Sequence, residues 1–223
     1  MKKIILSLTF ILFTAAFGFS QVFKPVKIDS LVTVSLPPGF IKKDTLGQQI
    51  FSGTSNMGYI IVIRSQNPPS NKPLNKERDL NEVLKTYIDG IKKQSIVGSV
   101  MNPRDTTIGS LKAKVFTLRI DNSGSTGEPV QLKRFILIYT QDVTYTFEYT
   151  YPEQRAELVK DDLKAFSSSI KLAPDLKRND QYISNAKGLS PGAKFGIYGG
   201  IPLVIIIIVI TVIRRKKRLA EEV

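Results

Sequence analysis

The feature that most constrains this chain is a long uncharged run near its C-terminus. Residues 195–213 (FGIYGGIPLVIIIIVITVI) contain no charged side chain. At about 1.5 Å per helical residue, this run just spans a hydrocarbon core of roughly 30 Å. The cations that follow it directly are Arg214, Arg215, Lys216, Lys217 and Arg218. Because such clusters are typical of the cytoplasmic flank of a membrane span, we predict a transmembrane helix over 195–213 and a basic cytoplasmic tail over 214–223.

The N-terminus carries a second topological pattern. Two lysines precede an apolar stretch over 4–19, and the small residues Gly18 and Ser20 stand where a peptidase would cleave. This order is typical of a secretory signal peptide, which we predict over 1–20. The alternative is an uncleaved first anchor. Both place the intervening domain outside the cytoplasm, so we expect a single-pass protein of the cytoplasmic (inner) membrane with its C-terminus in the cytoplasm.

The residue types that are missing restrict the chemistry. The chain contains no cysteine and no histidine. Without cysteine there is neither a disulfide nor a lipidation site, so the exported domain must be stabilised by a hydrophobic core. Ser-His-Asp sites, Cys-His sites and ordinary zinc sites are excluded. We therefore predict no catalytic residue, no cofactor and no metal site. The lack of an Asn-x-Ser/Thr sequon favours a bacterial envelope.

The formal net charge of +13 would indicate nucleic-acid binding if the positive charges were concentrated in one region of the folded domain. Part of the excess belongs to the predicted signal peptide and tail. The remainder is spread along the exported domain instead of being clustered, which is typical of a solvated basic surface. Since the expected compartment holds no nucleic acid, we predict no nucleic-acid partner.

The periodicity of apolar residues predicts an α+β domain. Asp79 and Glu82 form a candidate capping box before a first helix that ends at Gly98, and a second helix is predicted from Pro152 to Ile170. Strands are predicted over 32–36, 48–52, 58–65, 106–108, 112–120, 132–140 and 143–151. Because no strand-helix unit repeats, we expect an antiparallel β-sheet covered by two amphipathic helices, plus the one C-terminal transmembrane helix.

The exported domain is predicted over 21–172. Residues 173–194 are polar, lack an apolar period and predict a flexible tether between domain and anchor. The loop 121–129 (DNSGSTGEP) is the longest polar, glycine-containing break between paired strands. Because binding residues tend to lie on loops of a rigid scaffold, we expect this loop to contact a partner.

Three stretches of this domain resemble the PsbP/Mog1-like superfamily. They are VSLPPGF (34–40), TTIGSLKAKVF (106–116) and DDLKAFSSSIKL (161–172), and the likeness extends over about residues 28–172. The resemblance implies an α+β fold and a role in binding or assembly without catalysis. It implies no site residue, since the family has no common site motif to match. The membrane tail departs from the family, whose bacterial members are often soluble or lipid-anchored.

The pattern Ser-x-x-Lys occurs twice, at Ser168/Lys171 and at Ser184/Lys187. In serine hydrolases of the penicillin-binding type, Ser-Asp-Asn and Lys-Thr-Gly elements accompany it. Neither element is present here. We interpret both occurrences as chance matches in a chain rich in serine and lysine.

Two further groups of side chains have an obvious structural interpretation. Asp161 and Asp162 are adjacent on a predicted helix, so they point about 100° apart and do not converge on one ligand. Aromatic side chains recur at every second position of the last predicted strand, and we interpret them as core instead of a ligand platform. They are Tyr145, Phe147, Tyr149 and Tyr151.

The outer end of the predicted anchor contains a Gly-x-x-x-Gly pattern. Gly196 and Gly200 are candidate helix contacts, because small residues at this spacing let two membrane helices approach closely. A weak homodimer through the anchor would follow. The alternative is that these glycines and Pro202 fray the entrance of the helix near the interface.

Together these patterns predict a membrane-anchored envelope protein whose exported domain is a non-enzymatic binding or assembly module. The expected partner is a protein at or in the same membrane. One alternative is a hydrolase-type enzyme that uses only Asp, Glu, Lys or Ser. Another is a surface protein whose C-terminal helix is a processed sorting signal, although no Leu-Pro-x-Thr-Gly precedes that helix.

Overall fold

A computed structural model describes residues 23–69, 73–95 and 97–184. The predicted signal peptide, anchor and basic tail lie outside these residues, and so do Gly196, Gly200 and the cations at 214–218. None of the helices in the described part has the length and hydropathy that a membrane crossing requires.

The described part is a domain of strands and two main helices. The strands are β1 (Lys24–Lys27), β2 (Val32–Leu36), β3 (Ile41–Thr45), β4 (Gln48–Thr54), β5 (Tyr59–Gln66), β6 (Gly98–Ile108), β7 (Leu111–Ile120), β8 (Gln131–Tyr139), β9 (Val143–Pro152) and β10 (Lys171–Leu172). The helices are α1 (Glu77–Lys93) and α2 (Lys160–Ser168), with single 3₁₀ turns at Glu153–Arg155 and Arg178–Asp180 and one helical turn at Ser123–Thr126.

The strands form two antiparallel sheets. The large sheet has the order β3-β4-β5-β9-β8-β7-β6, and the small one has the order β1-β2-β10. Helix α1 covers one face of the large sheet, while the small sheet and α2 cover the other. These layers confirm the predicted α+β class with antiparallel pairing and two covering helices, whereas the second, three-stranded sheet was not predicted.

Helix α1 packs through a stripe of apolar residues with helical spacing. Leu80, Leu84 and Ile88 are buried against β7 and β8, where the rings of Phe116 and Phe135 stack with centroids 4.8 Å apart. Each fully buried side chain of this size contributes about 1.5–3 kcal/mol relative to exposure. This apolar face therefore holds α1 on the sheet.

Strand β9 is buried on both faces, although the alternation of aromatic residues with threonines in its sequence is typical of a strand with one buried face. Its aromatic residues lie in the core beneath the small sheet, which confirms their interpretation as core. On its other face, Thr144 and Glu148 are also buried, below α1. The Glu148 carboxylate is paired with the Lys133 ammonium at 3.0 Å. Two covering layers, one on each side, account for this burial.

Both helices begin at positions other than the predicted ones. Helix α1 begins at Glu77, and the Asp79 carboxylate accepts a hydrogen bond from the backbone N–H of Lys76 (3.0 Å), so Asp79 belongs to the first turn. Helix α2 begins only at Lys160, because β9 continues to Pro152 and a 3₁₀ turn and further turns follow.

The predicted start of the tether at residue 173 is also wrong. Leu176 and Tyr182 join the two cores at 6% and 4% exposure. The Ala173 N–H donates to the Leu31 carbonyl (2.8 Å), and the Ser184 N–H donates to the Asn75 carbonyl (2.7 Å). The folded domain therefore extends to residue 184. Single apolar residues hold this segment against the domain. Because they do not recur at a regular spacing, the sequence does not show a helical or strand period here.

The side chain of Gln181 ties this segment to the large sheet. It is fully buried, and its amide pairs with the backbone N–H and carbonyl of Lys112 at 2.8 Å each. The same amide nitrogen donates to the Tyr139 carbonyl (2.8 Å). The pairing of β7 with β8 stops at Ala113 and Ile138. Beyond that pair, the side-chain amide of Gln181 joins the backbones of Lys112 and Tyr139 by hydrogen bonds.

Candidate functional site

An open cleft of about 520 Å³ lies between α2 and the large sheet. We call it the basic cleft. Its floor is apolar and includes Val115 and Ile136, whereas its walls carry cations and hydroxyl groups. Its lining residues are Arg104, Thr106, Thr107, Ile108, Val115, Arg134, Ile136, Tyr151, Leu163, Lys164, Ser167 and Ser168. The cleft thus combines positive charge with an apolar base.

A β-bulge in the edge strand β6 places the first cation. The pairing of β6 with β7 shifts between Met101 and Arg104. Within the bulge, Asn102 has φ 50°, which asparagine adopts more readily than most residues, and Pro103 has no N–H to give to the ladder. Bulges redirect side chains. Beyond this one, Arg104 stands opposite Val115 and lines the cleft.

The other two cations come from the sheet and from α2. Arg134 lies on β8 directly opposite Thr117 of β7, and its Nη1 donates to the Thr117 hydroxyl (3.1 Å). Lys164 extends from α2 on the opposite wall. Arg134 is half-buried, whereas Arg104 and Lys164 lie at the exposed rim.

The cations of the cleft are not neutralised within the described part of the chain. None of its lining residues is acidic, and no described carboxylate forms an ion pair with Arg104, Arg134 or Lys164. Two other partly buried arginines of the same domain have carboxylate partners. Arg64 contacts Asp29 at 2.7 Å, and Arg119 holds both oxygens of Glu153 at 3.0 and 3.1 Å.

Burial and like charge in the cleft carry an electrostatic cost. Burial, followed by the positive charge of Arg104, lowers the pKa of Arg134. Its guanidinium nevertheless stays charged at neutral pH, because the ordinary arginine pKa is above about 12. Burial also raises the pKa of Tyr151, so its hydroxyl is a hydrogen-bond donor and not a base. An anion in the cleft would offset the repulsion and the desolvation together.

This arrangement is suited to binding an anion. A guanidinium presents a planar fork of N–H donors that matches two oxygens of a carboxylate or phosphate. The hydroxyl groups of Thr106, Thr107 and Ser167 add further donors on the walls. Hydroxyls without a neighbouring base are weak nucleophiles, and the lining of the cleft contains no carboxylate or imidazole to act as one.

The residues that the sequence singled out lie mostly outside the basic cleft. The Tyr149 hydroxyl is buried against Ser55 (2.7 Å) and also reaches Asp162 (3.3 Å), and burial raises the pKa of Tyr149 to about 12. Asp161 is exposed, so the two aspartates do not converge. Tyr149 and Asp162 therefore take part in a structural contact, and Asp161 is solvated.

Of the two Ser-x-x-Lys patterns, only Ser168 lines the cleft. Its hydroxyl donates to the Ala165 carbonyl (3.2 Å), and Lys171 is exposed on β10. Ser184 closes the described domain, and Lys187 lies beyond the described residues. Neither pattern assembles a nucleophile with a base in the described domain.

The loop 121–129 contributes nothing to the cleft lining. Its base is fixed by Arg119, whose Nη1 donates to Asp121 (2.9 Å), and the Asp121 carboxylate in turn accepts from the Ser123 hydroxyl (2.6 Å). The loop lies at the end of the sheet where β7 ends and β8 begins. Its predicted contact with a partner stays a prediction.

Sequence reasoning missed all three cations of the cleft. The one local indication is Asn102-Pro103 inside the strand that Arg104 occupies, because proline within a strand marks an edge or a bulge. Arg134 also follows Lys133 directly before the apolar run FILI of β8. No pattern relates Lys164 to either arginine, since the three residues come from β6, β8 and α2.

Similarity to known proteins is found at the level of the fold. No protein-family model and no curated protein matches the chain. Cyanobacterial PsbP (CyanoP) from Synechocystis is 15% identical with a TM-score of 0.49, over 70% of this chain and 96% of that one. The Ran-binding protein Mog1p of Saccharomyces cerevisiae is 10% identical with a TM-score of 0.41, over 69% and 96%. LpqN of Mycobacterium tuberculosis, involved in cell envelope biogenesis, is 12% identical with a TM-score of 0.44, over 69% and 91%. The chain is similar to these three solved structures at 10–15% identity, and each TM-score is below 0.5.

Proposed function

We propose that this protein is a non-enzymatic binding module, anchored in the cytoplasmic membrane, whose exported domain holds an acidic segment of a protein partner in the basic cleft. The observation that carries the proposal is the cleft itself. Arg104, Arg134 and Lys164 surround an apolar floor without a described carboxylate to neutralise them. A peptide with acidic and aliphatic side chains matches both properties.

The placement at the membrane rests on the sequence. The predicted span begins about ten residues beyond Ser184, the last described residue. At about 3.3–3.6 Å per extended residue, that connection reaches at most roughly 35 Å. The domain is then confined to the membrane surface, where a partner is a protein at or in the same membrane.

The binding step is tested by titrating the full chain in detergent micelles with a hepta-glutamate peptide. Replacing the two rim cations, Arg104→Gln with Lys164→Gln, is expected to weaken binding roughly tenfold, because each exposed ion pair contributes up to about 1 kcal/mol and 1.4 kcal/mol is tenfold. The matched control is Arg155→Gln with Lys171→Gln, which removes two exposed cations outside the cleft.

Raising the salt concentration should weaken peptide binding by the parent chain more than by the cleft variant, since screening acts on the charges that the variant lacks. Equal affinities of the cleft and control variants would overturn the assignment of the cleft. The topology is tested separately. Protease added to spheroplasts should digest the exported domain and spare an epitope fused after Val223, and a protected domain would contradict the proposed orientation.

A further inference from the structure

The hairpin of β3 and β4 ends in a two-residue turn with an unusual occupant. Thr45 pairs with Gln48, so Leu46 and Gly47 form the turn, and their φ angles are 45° and 78°. Turns with two positive φ angles favour Asn-Gly, because leucine in the left-handed region carries a steric penalty. Leu46 is fully exposed at 101%, so no contact within the described domain offsets this penalty.

The turn lies at a defined end of the large sheet. The carbonyl of Gly47 accepts a hydrogen bond from the N–H of Gln66 (3.2 Å), where β5 ends. The next residue, Asn67, donates to the carbonyl of Asp142 (2.8 Å) in the turn between β8 and β9. Leu46 therefore projects from the same end as these two connections.

The chain also leaves the described domain at this end. Gln141, beside the β8–β9 turn, donates to the carbonyl of Asp180 (2.7 Å). Four residues later, Ser184 closes the described part by donating to Asn75, just before α1. Ile183 is 54% exposed there. The segment that leads to the predicted anchor thus begins on the side of the domain to which Leu46 points.

We propose that Leu46 inserts into the lipid surface beside the anchor and so fixes the orientation of the exported domain. This inference rests on the proposed membrane placement. The short connection between Ser184 and the predicted span holds this end near the bilayer. Transfer of an exposed leucine side chain into the membrane interface is favourable. Lys43, exposed on β3 behind the turn, adds attraction to anionic headgroups, whereas Lys42 is paired with Asp44 at 3.7 Å.

The proposed orientation has a consequence for the rest of the domain. β9 runs from the turn end, at Val143, to the opposite end, at Pro152. The loop 121–129 and Leu158, which is 66% exposed, lie at or near that opposite end. With Leu46 in the lipid, both point away from the membrane.

Site-specific quenching tests the inference, because the chain has no native cysteine. The full chain carrying one cysteine is labelled with bimane and reconstituted into phosphatidylcholine–phosphatidylglycerol vesicles that contain doxyl-labelled lipid. The positions are Leu46→Cys, the matched exposed leucine Leu158→Cys, and Ile208→Cys within the predicted span. We expect quenching at 46 and 208 and none at 158.

The outcomes separate the inference from the proposed function. Quenching at 208 without quenching at 46 overturns the lipid contact and leaves the anchor intact, as it would if the turn met a protein instead. A label at 208 that is not quenched overturns the anchor and the lipid contact together. Quenching at 46 and 158 alike shows that the domain lies on the membrane without a fixed orientation, which also overturns the inference.

A second variant tests the leucine side chain itself. With the label moved to Thr45→Cys, adding Leu46→Asn keeps the turn and removes the apolar side chain. Quenching at 45 should fall toward the level seen at Leu158. Unchanged quenching would show that Leu46 does not carry the contact.

Discussion

Replacing Gln181 with alanine should destabilise the domain far more than its position beyond the predicted domain would indicate. Gln181 is fully buried. Its side-chain amide makes with the backbone of Lys112 the two hydrogen bonds that a residue of a neighbouring strand would make. Removing it leaves the backbone N–H and carbonyl of Lys112 without this partner and takes one donor from the Tyr139 carbonyl. The effect is transmitted through backbone groups of the large sheet.

The magnitude follows from the groups left unpaired. A buried polar group that loses its partner costs about 1–3 kcal/mol, and the two groups of Lys112 relax together, so their costs add incompletely. We expect a loss of roughly 2–4 kcal/mol in the free energy of unfolding. At about 2–4 °C per kcal/mol for a domain of this size, the melting temperature should fall by about 5–15 °C.

The assay is thermal and urea unfolding of the fragment 21–184, followed by circular dichroism. Hydrogen exchange adds a local readout, since the amide of Lys112 should exchange faster in the variant. Gln154→Ala is the control, because Gln154 is exposed and its replacement should stay within about 0.5 kcal/mol. If Gln181→Ala unfolded like Gln154→Ala, the amide pairing would not stabilise the sheet and the reasoning would be refuted.

Three other predictions concern the domain boundary, the strained turn and acid stability. A fragment that ends at Leu172 should lose the cooperative melt that the fragment ending at Ser184 retains, because it lacks the buried residues of 173–184. Leu46→Asn should raise the free energy of unfolding in urea by roughly 1 kcal/mol, since asparagine accepts a positive φ at lower cost. Burial raises the pKa of Asp29, but hydrogen bonds from Tyr145, Arg64 and two backbone amides outweigh it and hold that pKa below its usual range. The contribution of Asp29 to stability is therefore present above about pH 4 and is lost as the pH falls through the lowered pKa, so Asp29→Asn should flatten the acid side of the stability profile.

Each of these predictions has a matched control. A cooperative melt of the fragment ending at Leu172, equal to that of the longer fragment, would remove 173–184 from the folded domain. Leu158→Asn should give no gain, because Leu158 has no positive φ, and an equal gain would show that exposure and not strain matters at Leu46. Asp175→Asn removes an exposed carboxylate. If it flattened the acid profile as much as Asp29→Asn does, the Asp29 hydrogen bonds would not be the cause.

The sequence predicted the elements whose apolar residues repeat and missed those held by contacts elsewhere in the chain. β5 is a near-continuous apolar run, β9 and the stripe of α1 have strong periods, and all three occur where expected. β3 reads IKKDT and is exposed along its whole length, so only its pairing with β4 makes it a strand. β10 has two residues and exists because β2 is beside it.

The candidate site escaped prediction for a related reason. Its cations come from three elements far apart in sequence, and each one alone is typical of an ordinary surface residue. Only the packing of α2 on the sheet brings Lys164 to Arg104 and Arg134. The absence of carboxylates around them is a property of the assembled cleft, which composition and spacing do not contain.

Two features of the described domain carry a local energetic cost. One is the left-handed, fully exposed Leu46, and the other is the half-buried guanidinium of Arg134 beside Arg104. Strain of this kind persists where function requires it, because natural proteins lose some stability at binding sites. The two features lie on different parts of the domain, one at the turn end and one between α2 and the sheet. Removing either should therefore raise stability and abolish only its own contact, lipid for Leu46 and anion for the cleft, which is a pattern that a purely structural role would not produce.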